Sequence, residues 1–154
     1  MEFCILECRR FVAPDPGGAV KRIVRNHEFD FYKDGARTVT FDGRVYPVSA
    51  GSLCIRRPGQ VCSGVGDYDC YQLTVDFSGK TPSENYLRQK PLEIEVCREN
   101  PLVDDLPEVF MPLHRGEMAD LFGALCKEPE LASASAKLLV DELLFLMNAD
   151  SCHE

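Results

Sequence analysis

Gly35-Ala-Arg-Thr-Val-Thr-Phe-Asp-Gly-Arg-Val-Tyr-Pro-Val-Ser-Ala-Gly-Ser-Leu-Cys-Ile-Arg-Arg-Pro-Gly-Gln-Val-Cys62 decides how this chain folds. Its short apolar runs, residues 39–41, 44–46 and 53–55, are punctuated by Asp42-Gly43, Ala50-Gly51 and Pro58-Gly59. Asp-Gly between two apolar runs is a strong hairpin signal, because both residues tolerate the positive φ of a type I′ turn. The stretch therefore predicts a meander of short antiparallel strands.

Downstream, residues 70–77 alternate: Tyr71, Leu73, Val75 and Phe77 are apolar, whereas Cys70, Gln72, Thr74 and Asp76 are smaller or polar. A period of two predicts a strand with one buried face. Gln72 and Thr74 then either line the mouth of a closed sheet or face water, and the residues leave both open. Upstream, between residues 20 and 32, alternation groups Ile23, Arg25, His27, Phe29 and Phe31 on one face, and Lys33-Asp34-Gly35 is expected to turn the chain. Residues 3–12 form a β-compatible arm, ended by Ala13-Pro-Asp-Pro-Gly-Gly18. Residues 63–67 are expected to be a glycine-rich loop, and 78–104 an irregular segment with one strand at 92–96.

Beyond a short extended piece at 106–112 the period changes. Met118, Leu121, Phe122 and Leu125 share a helical face, which predicts a helix over 115–127, and Pro129 separates it from a second over 131–148. The second helix is apolar around most of its circumference, leaving Lys137, Asp141, Glu142 and Asn148 as a polar strip. An arc that wide predicts two buried faces, one on its own domain and one on a partner.

At 154 residues, with 45% hydrophobic and 27% charged residues, the chain is sized and composed for one globular domain. No apolar run approaches the roughly 20 residues of a membrane-spanning helix, and residues 1–10 lack the apolar region of a signal peptide, so a cytoplasmic location without membrane partners is expected. That location implies reduced thiols for the eight cysteines, Cys4, Cys8, Cys54, Cys62, Cys70, Cys97, Cys126 and Cys152, none of them in a CxxC pair. Net charge is −8 and uneven: residues 1–104 carry 14 Lys and Arg against 15 Asp and Glu, and residues 105–154 carry 3 against 10. An acidic half repels phosphate, so this polypeptide is not expected to hold nucleic acid by itself.

No constellation for catalysis stands out. A phosphate-cradling loop, a Gly-x-Ser-x-Gly elbow and an HExxH helix are all absent from the sequence. Of three histidines, His114 opens a helix and His153 lies near the end, which leaves His27 alone in the β region with Asp30 and Asp34 as the nearest oxygen donors. A catalytic metal ordinarily takes three convergent protein ligands, so neither a metal nor a cofactor is expected. Cys62 reads as a small wall residue rather than a nucleophile, since only His27 or Arg56 could activate it.

Residues 27–35, 39–60 and 71–77, in that order and spacing, resemble the N-terminal effector-binding and dimerisation domain of AraC/XylS-type transcription regulators. The resemblance implies a mainly β fold, a cupin-like antiparallel barrel of jelly-roll type followed by two C-terminal helices. It implies a barrel over residues 1–112 with an arm at 1–19, and a two-helix dimerisation region over 113–150. In that family the position matching Cys62 is commonly histidine, so the cysteine here speaks further against a metal. A small-molecule effector would bind in the barrel, with Arg25, His27, Cys62, Gln72 and Thr74 as candidate ligand contacts. A homodimer is implied, with Leu139, Leu143, Leu146 and Met147 as its candidate interface. The family's DNA-binding helix-turn-helix pair would follow the second helix, and the sequence stops at Glu154 before one, so DNA is expected as a partner only through a domain outside this chain. Two other readings stand beside the sensor: a small cupin enzyme, such as an isomerase or dioxygenase, and a ligand-free dimerisation module.

Overall fold

The computed structural model describes residues 3–13, 21–77, 100 and 103–151. The expected strand at 92–96, Cys97, Cys152, His153 and the 14–18 part of the first loop lie outside the described residues. Among these residues eight strands and two helices follow in order: β1 (Cys4–Ala13), β2 (Arg22–Ile23), β3 (His27–Phe41), β4 (Arg44–Ser49), β5 (Leu53–Arg56), β6 (Val61–Val65), β7 (Tyr68–Asp76), β8 (Val109–Phe110), α1 (Arg115–Cys126) and α2 (Ala134–Ser151). Every strand pairing among the described residues is antiparallel.

One long strand organises both layers. The first part of β3 pairs with β7 and β5 in a sheet ordered β1-β7-β3-β5-β8, and from Ala36 to Phe41 it pairs with β4 and β6, the latter also carrying β2. The expected turn at Lys33-Asp34-Gly35 is instead a corner within a continuous strand. The register slips by one residue between Tyr32 and Asp34, and Gly35 follows with φ +99°. A Cβ there would come within 2.6 Å of the Asp67 carbonyl oxygen, so only glycine lets the two backbones pass. The Asp42-Gly43 turn forms as expected, with φ of +48° and +86°, and closes the β3–β4 hairpin. Residues 61–65 are a strand rather than part of a glycine-rich loop. Gly64 sits inside β6, where the Arg37 guanidinium occupies the space a side chain would need.

Two cores result. Between the sheet layers lie Val24, Tyr32, Val39, Phe41, Val48, Cys54, Cys62 and Cys70. On the opposite face of the first sheet, Phe29, Phe31, Leu53, Ile55, Leu73 and Val75 pack with Met118, Phe122 and Leu125 of α1 and with Val140, Leu143, Leu144 and Met147 of α2. The Phe122 ring stacks on Phe31 and Tyr71, with centroids 5.8 and 6.0 Å apart. Each such side chain contributes about 1.5–3 kcal/mol by leaving water, which makes the helices integral to the fold. The second helix starts at Ala134 because Ser133 caps it: its Oγ accepts the Ala136 amide at 3.1 Å. The helix pair is closed at its far end by Asp150, whose carboxylate accepts the His114 amide at 2.8 Å and contacts His114 Nδ1 at 2.7 Å.

Candidate functional site

Strand register brings the polar residues of three strands to one face. Glu28 of β3 stands between Thr74 of β7 and Arg56 of β5, and Asp30 stands between Gln72 and Cys54. The intervening residues Phe29, Leu73 and Ile55 point to the helices. The even positions of β3 therefore face the second sheet layer, together with Tyr32 and Cys70, and there they meet Cys62 and Phe41.

This interior carries charge. Arg22, half-exposed at the edge, holds Glu28 through two guanidinium hydrogen bonds of 2.7 and 2.5 Å, and Gln72 Nε2 donates to the same carboxylate at 3.0 Å. Deeper, Arg56 pairs with Asp30, and both are almost wholly buried. The Arg56 guanidinium also lies over the Phe41 ring, 5.7 Å from its centroid. Burial opposes the Arg56 charge, but Asp30, Cys54, Tyr32 and Glu28 together outweigh it and hold the guanidinium well above its ordinary pKa. Burial raises the Asp30 carboxyl, with Arg56 opposing the rise. Asp30 Oδ1 and Arg56 Nε are buried with no hydrogen-bond partner among the described residues. A buried donor and acceptor left in this way are places where a ligand's own polar groups gain full strength.

The thiols on this face are held protonated. Burial pushes Cys54 up to about 12 and raises Cys62 and Cys70 as well, with Arg56 opposing each rise. Among the described residues no group of three or more His, Cys, Asp or Glu is placed to hold a metal ion.

The structure gathers some of the sequence-derived contacts and disperses others. Gln72, Thr74 and Cys62 lie on the interior face, around Glu28 and Arg56. His27 does not. It pairs with Val75 on the helix-side face, only 1% exposed, with its ring edge-on to Phe77 at 5.0 Å. Burial, and then the Arg57 charge, depress it to about 4. Arg25 is half-buried between β2 and β3, outside the register that aligns the interior face. The physical reason is parity. Phe29 and Phe31 share their face with Leu73, so the even residues of β3, Glu28 and Asp30, are the ones that accompany Gln72 and Thr74. That signal was present in the matching apolar rows, but a charged interior runs against the expectation of an apolar one. Sequence reasoning passed over Arg22 and Glu28, and weighed Asp30 and Arg56 only as a metal oxygen donor and a thiol activator rather than as contacts of this face.

The candidate dimer residues face inward for the most part. Leu143, Leu146 and Met147 are enclosed in the chain's own core, and Leu139 packs partly against it. The apolar residues that α2 leaves outside are Leu138, 68% exposed, and Phe145, 71% exposed.

No helix among the described residues is long and apolar enough to cross a membrane. Comparison with known proteins gives one family match, to the AraC-like ligand binding domain over residues 25–147. No curated protein matches. Solved structures similar to this chain include a cupin superfamily protein of Desulfitobacterium hafniense, at 16% identity and TM-score 0.39, aligned over 44% of this chain and 63% of that one. The EutQ protein of Clostridium difficile is similar at 21% identity and TM-score 0.38, over 48% of this chain and 57% of its own. A deletion mutant of Bacillus subtilis oxalate decarboxylase is similar at 16% identity and TM-score 0.41, over 69% of this chain and 40% of its own. Because the family match begins just before β3 and ends within α2, and so covers most of the chain including strands of both sheet layers and both helices, the chain belongs to the family of AraC-like ligand-binding domains.

Proposed function

We propose that this chain is the small-molecule sensor and dimerisation part of a cytoplasmic AraC-type transcription regulator, with the effector held between the two sheet layers. The observation that carries the reading is the charged interior: Arg22, Glu28, Asp30, Arg56 and Gln72 converge there, with Asp30 Oδ1 and Arg56 Nε buried and unpaired. Such a face suits a small polar effector offering both donors and acceptors, as a hydroxylated compound does. Contact with DNA belongs to a separate module of the regulator, because the acidic surface of this chain disfavours phosphate. Binding is the reading that fits this face, where burial holds the interior thiols protonated and so offers no thiolate for covalent catalysis.

A second copy would meet the outer face of α2. Leu138 and Phe145 are seven residues apart, two helical turns, and lie on one stripe. The effector would act by linkage: binding one arrangement of the dimer better than another shifts the population between them.

The test is a panel of polyols, sugars and small hydroxy acids scored by thermal shift. A ligand at a hundredfold its Kd stabilises the folded chain by about 2.7 kcal/mol. The effect should vanish in Gln72→Leu and Arg22→Ala, which alter the face near its edge without emptying the core. No stabilising compound in such a panel, or undiminished shifts in both variants, would overturn the reading.

A further inference from the structure

The strongest feature outside the interior face joins the first strand to the first helix. Cys8 of β1 projects to the helix side of the sheet and packs against the main core. Cys126 is the last residue of α1. Their sulfurs are 3.5 Å apart although 118 positions separate them in sequence, and both residues are half-buried rather than sealed. A disulfide needs about 2.05 Å, so an approach of about 1.5 Å completes the bond.

The geometry points to Cys8 and Cys126 as a reversible dithiol–disulfide site that fastens strand β1 to helix α1 on oxidation by a hydroperoxide. The surroundings distinguish the two sulfurs. The hydrogen bond between the two sulfurs draws the Cys126 thiol below its ordinary value against its burial, and the Lys33 ammonium adds to that pull, whereas the Cys8 thiol is raised. With the Lys33 cation on its side, Cys126 is assigned within this proposal as the attacking thiolate. Its sulfur takes the terminal OH of the hydroperoxide, forming Cys126–SOH as the O–O bond breaks and releasing the remaining oxygen as alkoxide, or as hydroxide from hydrogen peroxide. The Cys8 sulfur then attacks the sulfenic sulfur. The S–S bond forms as the S–O bond breaks, and the hydroxyl leaves with the Cys8 proton as water. A dithiol reductant returns two electrons and two protons and restores both thiols.

The structural consequence falls on β1, whose ladder to β7 runs from Cys4 to Ala13. In the reduced chain that strand is held by its ladder, by packing and by the Arg10–Asp69 ion pair to β7, with no covalent tie. In the oxidised chain it is tied to the helix pair, so redox state would set how readily it parts from the sheet. This device is independent of effector binding, because neither cysteine lies on the interior face.

Peptide mapping of the full chain tests it. After treatment with hydrogen peroxide and alkylation, one linked peptide pair containing Cys8 and Cys126 is expected, lighter by two hydrogens and lost on treatment with a dithiol. Cys8→Ser should leave a sulfenic acid at Cys126 that dimedone traps, and Cys126→Ser should abolish the cross-link. Hydrogen exchange of the β1 amides should slow in the oxidised protein. Recovery of Cys8 and Cys126 as separately alkylated peptides, or linkage of either to another cysteine, would overturn the assignment, and unchanged exchange in a cross-linked sample would overturn the fastening of β1.

Discussion

Arg56 stands opposite Glu28 in the strand register yet gives its guanidinium to Asp30, the next interior residue along β3. Glu28 is already engaged by Arg22 and Gln72. The two carboxylates therefore draw on two guanidiniums at different depths, one at the edge and one fully enclosed. Charges this deep are held by their partners rather than by water.

Removing one member of the inner pair should be far worse than removing both. Arg56→Met leaves the buried Asp30 carboxyl without its cation, and a loss of about 3–5 kcal/mol in urea unfolding is expected. Combining it with Asp30→Leu should return much of that loss, because no buried charge then remains. A double variant as unstable as the sum of its singles would show that the pair stabilises through something other than mutual neutralisation.

His27 should make the fold sensitive to mild acid. Its pKa is near 4 in the folded chain against about 6.5 unfolded, because burial and Arg57 disfavour the imidazolium. Between those values the unfolded chain binds a proton that the folded one does not, so stability falls as pH falls, by about 1.4 kcal/mol per unit. The loss begins near pH 6.5 and levels below about 4. His27→Gln should flatten the upper part of that slope, before carboxylates titrate. An unaltered slope would assign the effect to another group.

His114 should behave in the opposite sense. Its hydrogen bond to Asp150, and that carboxylate's charge, raise its pKa above the ordinary 6.5. A raised folded pKa contributes stability that is complete below the unfolded value and is lost as pH rises through the folded one. In an NMR titration the His114 ring should have a midpoint above 6.5, returning toward it in Asp150→Asn. A midpoint unchanged by that substitution would remove Asp150 as the cause.

These residues also show where the sequence was legible. The mainly β fold and its two helices followed from local signals: Asp42 and Gly43 both suit positive φ, and Met118, Phe122 and Leu125 recur at helical spacing. The corner at Gly35 was not legible as a continuation, because a glycine that bends a strand and one that ends it look alike in sequence. The site was half legible for a related reason. Alternation on β7 correctly paired Gln72 with Thr74, but choosing the matching row on β3 required the register, and a one-residue choice moves every side chain to the other face. His27 and Asp30 exchange roles on that single step.

The same distinction between a helix's inner and outer rows separates two substitutions in α2. Leu143 is fully buried against the sheet, so Leu143→Asp places a carboxylate in the core, and a loss of more than about 4 kcal/mol is expected, seen as unfolding rather than as a folded monomer. Phe145 projects from the opposite side and makes no part of that core. Phe145→Glu should therefore leave chemical stability within about 0.5 kcal/mol of the parent while shifting the sizing profile from dimer to monomer. Leu138→Glu, two turns away on the same stripe, should do likewise. If both variants elute unchanged, a second copy does not use this face of α2, whatever the oligomeric state of the chain.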